Sequence, residues 1–418
     1  SSPVPHMADT PAGTFPPGFD GQDGGLGYGD TPAGGEDQGD TTGVGVLPEE
    51  QLQPVDALRT RDALWAVIFA GGIGSRFWPL STPERPKPLL KLVGESPLVA
   101  DTVRRLHPLV PADRVLVFTS EDIADAVRGA LPQLPSKNVL VEPRPLGTAA
   151  ALAWAAHEIA TRAGPRAVFC ALHADLAAQY EDDFRETIRQ AAKLAGEDGR
   201  LVAIAARPTR PETGFGYIVP GAVLDEDASG TVDGGARRVA RFVEKPGPLL
   251  AEELIEGGAL WNCGIYCWQA GVVLGALREH TSELQDGLGY LEEGRIDRFA
   301  GMIQNISIER GLLERHGDTV CLPAEFGWDD VGTWACLRRV RELDDTGNGV
   351  IGDALLVDAS SNVVHAEAGR VVCYGVNSLL VVSLKGVTFV TTLDRARELN
   401  PLLDALPPQL KRNPIAEL

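Results

Sequence analysis

Small residues and a cation lie at the end of the first apolar run of the chain and directly after it. They are Ala70, Gly71, Gly72, Gly74, Ser75 and Arg76. Glycines allow a backbone to approach a phosphate closely and to present N–H groups to it. A dinucleotide fingerprint would need glycine at position 77, which is Phe77, and a Walker A loop would need a Gly-Lys-Ser/Thr run, which is absent. The pattern predicts a phosphate-binding loop of another kind, although a tight strand-to-helix turn explains the glycines alone about as well.

The residues after this loop form a more specific pattern. Arg76 opens the run Arg-Phe-Trp-Pro-Leu-Ser, and Lys87 stands between two prolines in Pro-Lys-Pro-Leu-Leu. This continuation resembles the signature of sugar-1-phosphate nucleotidylyltransferases. Its first half is similar to the form found in mannose-1-phosphate guanylyltransferases. The resemblance implies attack on the α-phosphate of a nucleoside triphosphate, with pyrophosphate as the leaving group.

Arg76 and Lys87 both have a chemical reason in such a reaction. A guanidinium can bind the β- and γ-phosphates through two parallel hydrogen bonds and stabilise the charge that grows on pyrophosphate. An ammonium is a compact point charge, which suits the α-phosphate. The resemblance therefore implies that these two residues are catalytic and that the loop from Ala70 to Ser75 binds nucleotide. No histidine is needed as a base, because a sugar phosphate is already an anion near neutral pH.

The segment Glu-Pro-x-x-x-Gly-Thr-Ala that starts at Glu142 resembles the base-recognition segment of the family. Guanine offers two adjacent donors, and a carboxylate can accept from both, so Glu142 favours guanine. The resemblance implies that Gly147 and Thr148 also bind the nucleotide. Guanylyltransferases usually carry Arg-Asn where this chain has Leu146 and Gly147, so a different base stays open as an alternative.

Two aspartates resemble the metal ligands of the family. Asp175 ends Ala-Leu-His-Ala-Asp, which is similar to Pro-Ala-Asp-His, and Asp330 lies in Gly-Trp-Asp-Asp-Val-Gly-Thr-Trp, which is similar to Gly-Trp-x-Asp-Val-Gly-x-Trp. The resemblance implies that both bind Mg²⁺, a hard ion that prefers oxygen ligands. His173 and Leu176 depart from the family pattern around Asp175. The alternative is that the aspartates only cap helices.

Three further segments resemble the sugar-binding segments of the family. They are Thr-Gly-Phe-Gly-Tyr-Ile around Gly216, Phe-Val-Glu-Lys-Pro around Glu244 and Lys245, and Trp-Asn-Cys-Gly-Ile around Asn262. The resemblance implies that these four residues bind the sugar phosphate. Glu244 and Asn262 would bind hydroxyls, and Lys245 would bind the phosphate.

Apolar runs alternate with helical stretches through the middle of the chain. The runs predict buried strands at Leu64–Ala70, Val115–Thr119, Val139–Val141, Ala167–Leu172 and Leu201–Ala206. The stretches between them predict helices at Ser96–His107, Ala149–Ala163 and Phe184–Ala195. This alternation predicts an α/β fold with a doubly wound, mainly parallel, Rossmann-like sheet. The ligand should lie over the carboxyl ends of the strands.

The pattern changes after about residue 343. Short β-rich pieces are predicted at Val350–Val357, Asn362–Ala366, Arg370–Tyr374, Leu379–Leu384 and Val387–Thr391, followed by a helix at Arg395–Leu406. We expect a small β-rich domain that packs on the catalytic domain and aids dimerisation. It is too short, and lacks the hexapeptide repeats, for an acyltransferase β-helix.

The first 58 residues hold ten Asp and Glu residues and no Lys or Arg. They are rich in Gly and Pro and poor in large apolar residues, which predicts a disordered acidic tail. The predicted domain division is therefore a tail at 1–58, a catalytic domain at 59–343 and a β-rich domain at 344–418.

Charge and cysteine content limit the classes of function. With 38 Lys and Arg against 58 Asp and Glu, the formal net charge is −20, which argues against nucleic acid and membrane partners. The six cysteines form no C-x-x-C pair, which predicts reduced thiols and a cytoplasmic location.

The motifs together predict transfer of a guanylyl group from GTP to α-mannose 1-phosphate, assisted by Mg²⁺, in a homodimer. Two alternatives remain open from the residues alone. One is the same reaction with another sugar 1-phosphate or another nucleoside triphosphate. The other is a non-catalytic subunit that binds a nucleotide-sugar and regulates a partner enzyme.

Overall fold

A nine-stranded sheet forms the centre of the molecule. The computed structural model describes residues 63–72, 74–224 and 235–415, and the predicted tail at 1–58 lies outside them. Up to residue 330 the strands are β1 (Trp65–Phe69), β2 (Val115–Ser120), β3 (Val139–Glu142), β4 (Val168–His173), β5 (Leu176–Ala178), β6 (Leu201–Ala206), β7 (Gly216–Val223), β8 (Arg237–Glu244), β9 (Leu260–Gln269), β10 (Thr319–Ala324) and β11 (Trp328–Asp330). The spatial order in the large sheet is β3-β2-β1-β4-β9-β6-β10-β8-β7.

The large sheet is mixed, with most strands running the same way. β1 is parallel to β2 and β4, β2 is parallel to β3, and β6 is parallel to β10. β9 runs antiparallel between β4 and β6, and β8 is antiparallel to β10 and β7. The predicted α/β fold class is confirmed. The apolar runs form these strands because parallel strands with helices on both faces have no polar side.

Helices cover both faces of this sheet. They are α1 (Leu98–Leu106), α2 (Ala124–Ala130), α3 (Thr148–Ala163), α4 (Glu181–Asp198), α5 (Pro248–Glu256), α6 (Ala270–His280), α7 (Ser282–Glu292) and α8 (Ile296–Met302). The short α9 (Leu337–Val340) follows, and its Leu337 packs in a different core. One apolar core includes buried residues of α3, α6, α7 and α8, and a second includes those of α1, α2 and α4. Between residues 63 and 415, apart from the undescribed 73 and 225–234, no helix combines the length and apolarity needed to cross a bilayer.

The last part of the chain forms a separate four-stranded sheet. Its strands are β12 (Gly349–Val357), β13 (Val363–Tyr374), β14 (Leu379–Leu384) and β15 (Val387–Thr392). β12, β13 and β14 are parallel, and β15 is antiparallel to β14. Gly349 pairs with Val363, and Val363 pairs with Leu380, so after each of β12 and β13 the chain returns and pairs the next strand with the start of the previous one. We call residues 349–392 the C-terminal coil.

Gly352 shows how closely β12 approaches β13. It has φ +93°, and a Cβ there would lie 1.8 Å from the carbonyl oxygen of Ala366. Only glycine fits that position without moving the backbone.

Two predicted elements of this region differ from the structure. The pieces predicted at Asn362–Ala366 and Arg370–Tyr374 are one bent strand, β13. The predicted helix at Arg395–Leu406 is divided into a 3-10 turn at Arg395–Arg397 and α10 (Asn400–Ala405), and α11 (Pro408–Arg412) follows. Pro401 explains the break, because in one continuous helix it could not donate to the Arg397 carbonyl and its ring would clash with that carbonyl, whereas the first turn of a new helix tolerates proline.

A third apolar core joins the C-terminal coil to the residues that follow the glycine loop. Phe77 and Leu90 pack in it with Trp334 and with Val363 and Leu380 of the coil. The coil therefore lies directly beneath the segment that carries the two predicted catalytic cations. All six cysteines are in the described part of the chain, where each is buried and none forms a disulfide.

Candidate active site

A cavity of about 640 Å³ lies at the carboxyl ends of the central strands. Six predicted site residues line it: Thr148, Asp175, Glu244, Lys245, Asn262 and Asp330. Other lining residues were not among the predicted site residues, and they include His173, Phe215, Asn305, Ser307, Glu309, Arg310 and Trp328. The remaining predicted site residues are outside this lining: the glycine loop from Ala70 to Ser75, Arg76, Lys87, Glu142, Gly147 and Gly216.

Asp175 and Asp330 are brought together by the short β5–β11 ladder. Asp330 pairs with Leu176, the residue after Asp175, and the N–H of Val331 donates to the Asp175 carbonyl at 3.3 Å. Asp175 itself lies in the turn between β4 and β5. Burial raises the pKa of Asp330; the Lys87 ammonium opposes this shift and the Asp175 charge adds to it. The site therefore holds two carboxylates, and burial makes the charged form of Asp330 less favourable than it would be in water.

Lys87 is the cation closest to these carboxylates. Its Nζ lies 2.5 Å from Asp175 Oδ2, and the lysine side chain is 13% exposed. Burial alone would lower the pKa of Lys87, but the charges of Asp175 and Asp330 outweigh it and raise that pKa. The same ion pair lowers the pKa of Asp175 against the effect of burial. Lys87 is thus held charged at the edge of the cavity.

The glycine loop is open and leads to Lys87. Gly71 and Gly72 are exposed, and a Cβ at either would meet no atom within 4 Å. Gly74 has φ +71°, and a Cβ there would lie 2.5 Å from Lys87 Cβ. Ser75 and Arg76 are exposed, and Arg76 has no ion-pair partner among the described residues. Gly71, Gly72 and the Arg76 guanidinium are therefore exposed to a ligand.

The predicted base-recognition residues lie at the end of β3 and the start of α3. Glu142 Oε1 accepts a long hydrogen bond of 3.4 Å from the N–H of Leu146, and burial raises the Glu142 pKa. The structure does not bring Glu142 into the cavity lining. Gly147 has φ +85°, and a Cβ there would lie 2.5 Å from Asn305 Oδ1. Thr148 accepts a hydrogen bond of 2.9 Å from the N–H of Ile308 through its hydroxyl.

The sugar-side residues sit on the paired strands β7 and β8. Gly216 pairs with Glu244, and a Cβ at Gly216 would lie 2.6 Å from Glu244 Oε2. Burial raises the pKa of Glu244, and the nearby Glu309 carboxylate raises it further. Lys245 is exposed, and its φ of +47° is unusual for a residue with a side chain. Its Nζ lies 3.7 Å from Glu244 Oε1.

A hydrogen-bonded chain runs from Asn262 to a residue that the motifs did not reveal. Asn262 Nδ2 donates to the Tyr266 hydroxyl at 2.8 Å, and that hydroxyl donates to Glu309 Oε1 at 2.8 Å. Asn262 Oδ1 accepts from the N–H of Gly264 at 3.2 Å. Burial, with the Glu309 charge next to it, raises the pKa of Tyr266 well above its usual value. This side of the cavity is preorganised by the chain itself.

The segment from Asn305 to Arg310 is the main part of the site that the sequence did not predict. It packs on the start of α3, where the N–H of Ala149 donates to the Ile306 carbonyl at 3.2 Å. The only signal in the sequence is the adjacent charged pair Glu309 and Arg310 between apolar residues. That pattern describes a surface helix equally well.

Comparison with known proteins decides the family. The sequence profile of the nucleotidyl transferase family matches residues 65–346, which is more than half of the chain. The chain belongs to the nucleotidyl transferase family.

Relatives of this nucleotidyl transferase support the narrower resemblance. A mannose-1-phosphate guanylyltransferase of Sinorhizobium fredii is 30% identical over 81% of this chain and 67% of its own length. One from Escherichia coli K12 is 32% identical over 82% of this chain and 73% of its own. The structure described as mannose-1-phosphate geranyltransferase from Thermus thermophilus is 33% identical, has a TM-score of 0.72, and covers 82% of this chain and 98% of its own. The predicted resemblance to mannose-1-phosphate guanylyltransferases is confirmed.

The donor set of this nucleotidyl transferase suits a hard divalent cation. Asp175 and Asp330 offer only carboxylate oxygens, and burial raises the pKa of Asp330 although Lys87 opposes this, so a further cation would stabilise the Asp330 charge. In the described residues no third His, Cys, Asp or Glu completes a metal cluster with them. A metal here would need ligands from substrate or water, as Mg²⁺ in phosphate-transfer sites commonly does.

Proposed function

We propose that the chain transfers a guanylyl group from GTP to α-mannose 1-phosphate, giving GDP-mannose and pyrophosphate. One observation carries the proposal. The Lys87 ammonium, 2.5 Å from Asp175, stands beside Asp330 at a cavity that Glu244 and Asn262 also line. A phosphate-binding centre and a set of hydroxyl-binding groups therefore share one space. The names of the relatives support the same pair of substrates.

In this mechanism a phosphate oxygen of mannose 1-phosphate bonds to the α-phosphorus of GTP while the bond to the β-phosphate bridging oxygen breaks. Lys87 stabilises the α-phosphate, and the exposed Arg76 binds the departing pyrophosphate. Asp175 and Asp330 would hold Mg²⁺, which supplies charge neutralisation at the phosphate oxygens when bound. Positioning and electrostatics suffice, because the attacking group is already an anion.

The departing pyrophosphate and the phosphate of mannose 1-phosphate are assigned to different cations, Arg76 and Lys245. Arg76→Ala should lower kcat more than it raises the KM for mannose 1-phosphate, since its partner charge grows only as the bond breaks. Lys245→Ala should mainly raise that KM. The opposite pattern would exchange the two assignments.

Guanine is assigned to Glu142, whose carboxylate could accept from N1–H and N2–H₂ in place of the weak bond from Leu146. ATP offers an acceptor at N1 and lacks the amino donor, so GTP should be preferred by about 10²-fold or more. Inosine triphosphate should fall between them. Glu142→Gln should narrow the preference, and an unchanged preference would remove Glu142 from the base site.

The proposal is tested by measuring pyrophosphate release for five nucleoside triphosphates against several sugar 1-phosphates. GTP with mannose 1-phosphate should give the highest kcat/KM. Lys87→Met should abolish most of that activity, whereas Lys91→Met, at an exposed lysine four residues later, should keep it. A different best pair would correct the substrates, and no release with any pair would favour the regulatory subunit.

Three further features remain predictions of this proposal. We expect a homodimer, a cytoplasmic location, and a division between a catalytic domain at 59–343 and a β-rich domain at 344–418. Size measurement in solution and limited proteolysis near residue 344 would test the first and the third.

A further inference from the structure

Lys87 lies on a segment whose two ends are linked to the C-terminal coil, one directly through Glu367 and the other through Arg341, which precedes the coil. Two residues before it, Arg85 donates to both oxygens of Glu367 on β13, at 2.7 and 2.6 Å. Five residues after it, the Leu92 carbonyl accepts from Arg341 Nε at 2.7 Å. The two ties meet within the coil, because one buried side chain contacts both Glu367 and Arg341.

That side chain is His365, which is fully buried. Its Nδ1 lies 3.1 Å from Arg341 Nη2, and its Nε2 lies 3.3 Å from Glu367 Oε1. A guanidinium can only donate, so Nδ1 is the acceptor and Nε2 carries the hydrogen that Glu367 accepts. Arg341, itself 6% exposed, also donates to the Val364 carbonyl at 3.1 Å. The directions of all these bonds are therefore fixed.

Apolar packing alone does not explain this arrangement. The core that includes Phe77, Leu90 and Trp334 already joins the segment to the coil. Such contacts are not directional, whereas a bidentate Arg–carboxylate pair fixes both distance and orientation. A displacement of about 1 Å at a catalytic group can cost about 10²-fold in rate, so a directional tie near Lys87 has a functional use.

We propose that Arg85, His365 and Glu367 are positioning residues, through which the C-terminal coil holds Lys87 in contact with Asp175. None of them touches the cavity where the reaction is proposed to occur. The inference rests on the proposed function only in taking Lys87 as the catalytic cation. It gives the coil a part in catalysis that is separate from any role in assembly.

The test compares Glu367→Gln with Asp353→Asn. Asp353 forms an exposed ion pair with Arg370 on the same coil, at 2.9 Å, and serves as the matched control. The first readout is the rate at which an acetylating reagent modifies Lys87, followed by mass spectrometry of the peptide. It needs no enzymatic activity. We expect Glu367→Gln to raise this rate at least about threefold, since Lys87 loses its fixed contact with Asp175, and Asp353→Asn to leave it unchanged.

The second readout is steady-state kinetics with the best substrate pair. Glu367→Gln should lower kcat about tenfold with less than a twofold change in either KM, because the substrates still bind while the cation is displaced. Glu367→Asp, which keeps the charge, should recover part of kcat. Leu288→Ala, in the core of α7, destabilises the fold elsewhere and should not change Lys87 acetylation, which separates positioning from general stability.

The outcomes separate this inference from the proposed function. Faster acetylation of Lys87 in Glu367→Gln, together with no turnover by the unmodified chain, would support the tie and reject the proposed reaction. An unchanged acetylation rate and unchanged kcat would overturn the inference and leave the proposed reaction intact. If Glu367→Gln does not fold, Arg85→Lys is measured instead, because Arg85 is part-exposed and a lysine cannot form the bidentate pair.

Discussion

The two sides of the cavity are built in different ways. On the nucleotide side, Gly71, Gly72 and Arg76 are exposed, so a ligand can reach the backbone of the glycines and the guanidinium of the arginine. On the sugar side, Asn262 and Tyr266 are buried and already bonded to each other. The first side gains its interactions only when a ligand binds, and the second is formed in advance.

This difference matches the chemistry proposed for each side. A triphosphate changes its charge distribution as pyrophosphate leaves, so exposed donors that point to the leaving phosphates stabilise the charge that develops there. A sugar ring keeps its hydroxyls in place, so fixed acceptors can select it at low entropic cost. Asp175, Asp330 and Lys87 stand where the two sides meet.

The largest effect is expected at that meeting point. Asp330→Asn should lower kcat by about 10²-fold or more, since it removes a charge that faces the reacting phosphates. The melting temperature should not fall, because the asparagine replaces a buried carboxylate whose charge burial disfavours. Pyrophosphate release at saturating Mg²⁺ and thermal unfolding check the two statements.

Asp329→Asn is the matched control. Neighbouring residues of a strand face opposite ways, and Asp329 binds Arg339 at 2.5 Å instead of facing the cavity. Its substitution should change kcat only a few-fold. Equal losses in the two variants would show that Asp330 acts through the strand and not through the reacting phosphates.

The strands and the glycine loop on the nucleotide side could be predicted from local sequence. The strands around the site are uninterrupted apolar runs, and β1 followed by Gly71 and Gly72 is visible without any structure. Lys87 and Asp175 were predicted from separate motifs, and the fold brings them to 2.5 Å. Local pattern is enough wherever a short segment carries both its structure and its chemistry.

The contacts on the sugar side could not be predicted from the sequence, because they join residues of distant segments. Tyr266 and Glu309 are 43 residues apart, and nothing in either segment indicates the other.

Two other features of the site region were not predictable from the sequence. The β5–β11 ladder has only three residues in each strand, too few for a periodic pattern. The ties from Arg85 to Glu367 depend on how the coil packs, which no local signal encodes.

The next effect concerns the preformed side. Tyr266→Phe removes the hydroxyl that joins Asn262 to Glu309, leaving two polar groups without it. An unpaired buried group costs ~1–3 kcal/mol, so the KM for mannose 1-phosphate should rise about 10–30-fold with kcat nearly unchanged. Initial rates over a range of sugar phosphate check this. Tyr290→Phe removes a hydroxyl away from the cavity and should leave KM as it is; a fall in kcat instead would assign Tyr266 to the reaction step.

Matched glycine substitutions compare the two sides directly. In Gly216→Ala the new methyl lies 2.6 Å from Glu244 Oε2 and must displace that carboxylate, so the KM for mannose 1-phosphate should rise about 5–10-fold. In Gly71→Ala the methyl meets nothing within 4 Å in the chain, so stability should hold. If a phosphate approaches that backbone, the KM for GTP should rise by a similar factor. A GTP KM that Gly71→Ala leaves unchanged would remove Gly71 from the phosphate site.

The smallest effect is a change in acid stability. Burial would raise the pKa of Glu367, but hydrogen bonds from Arg85 and His365 lower it from 4.5 to about 2. A depressed carboxyl pKa contributes stability that is complete above about pH 5 and is lost as pH falls toward 2. In urea at pH 7 the free energy of unfolding of Glu367→Gln should therefore be lower by about 1–2 kcal/mol, a value for a pair that is partly screened by solvent. Between pH 5 and 3 that free energy should also depend less on pH than it does in the unsubstituted protein.

Glu283→Gln is the control. It removes a similar pair with Arg315, where the pKa of Glu283 is also about 2, and should reduce the pH dependence of stability over the same range. Only Glu367→Gln should also lower kcat, because only Glu367 is tied to the segment that carries Lys87. If both variants lower kcat alike, the loss reflects stability and the two ion pairs do not differ in function.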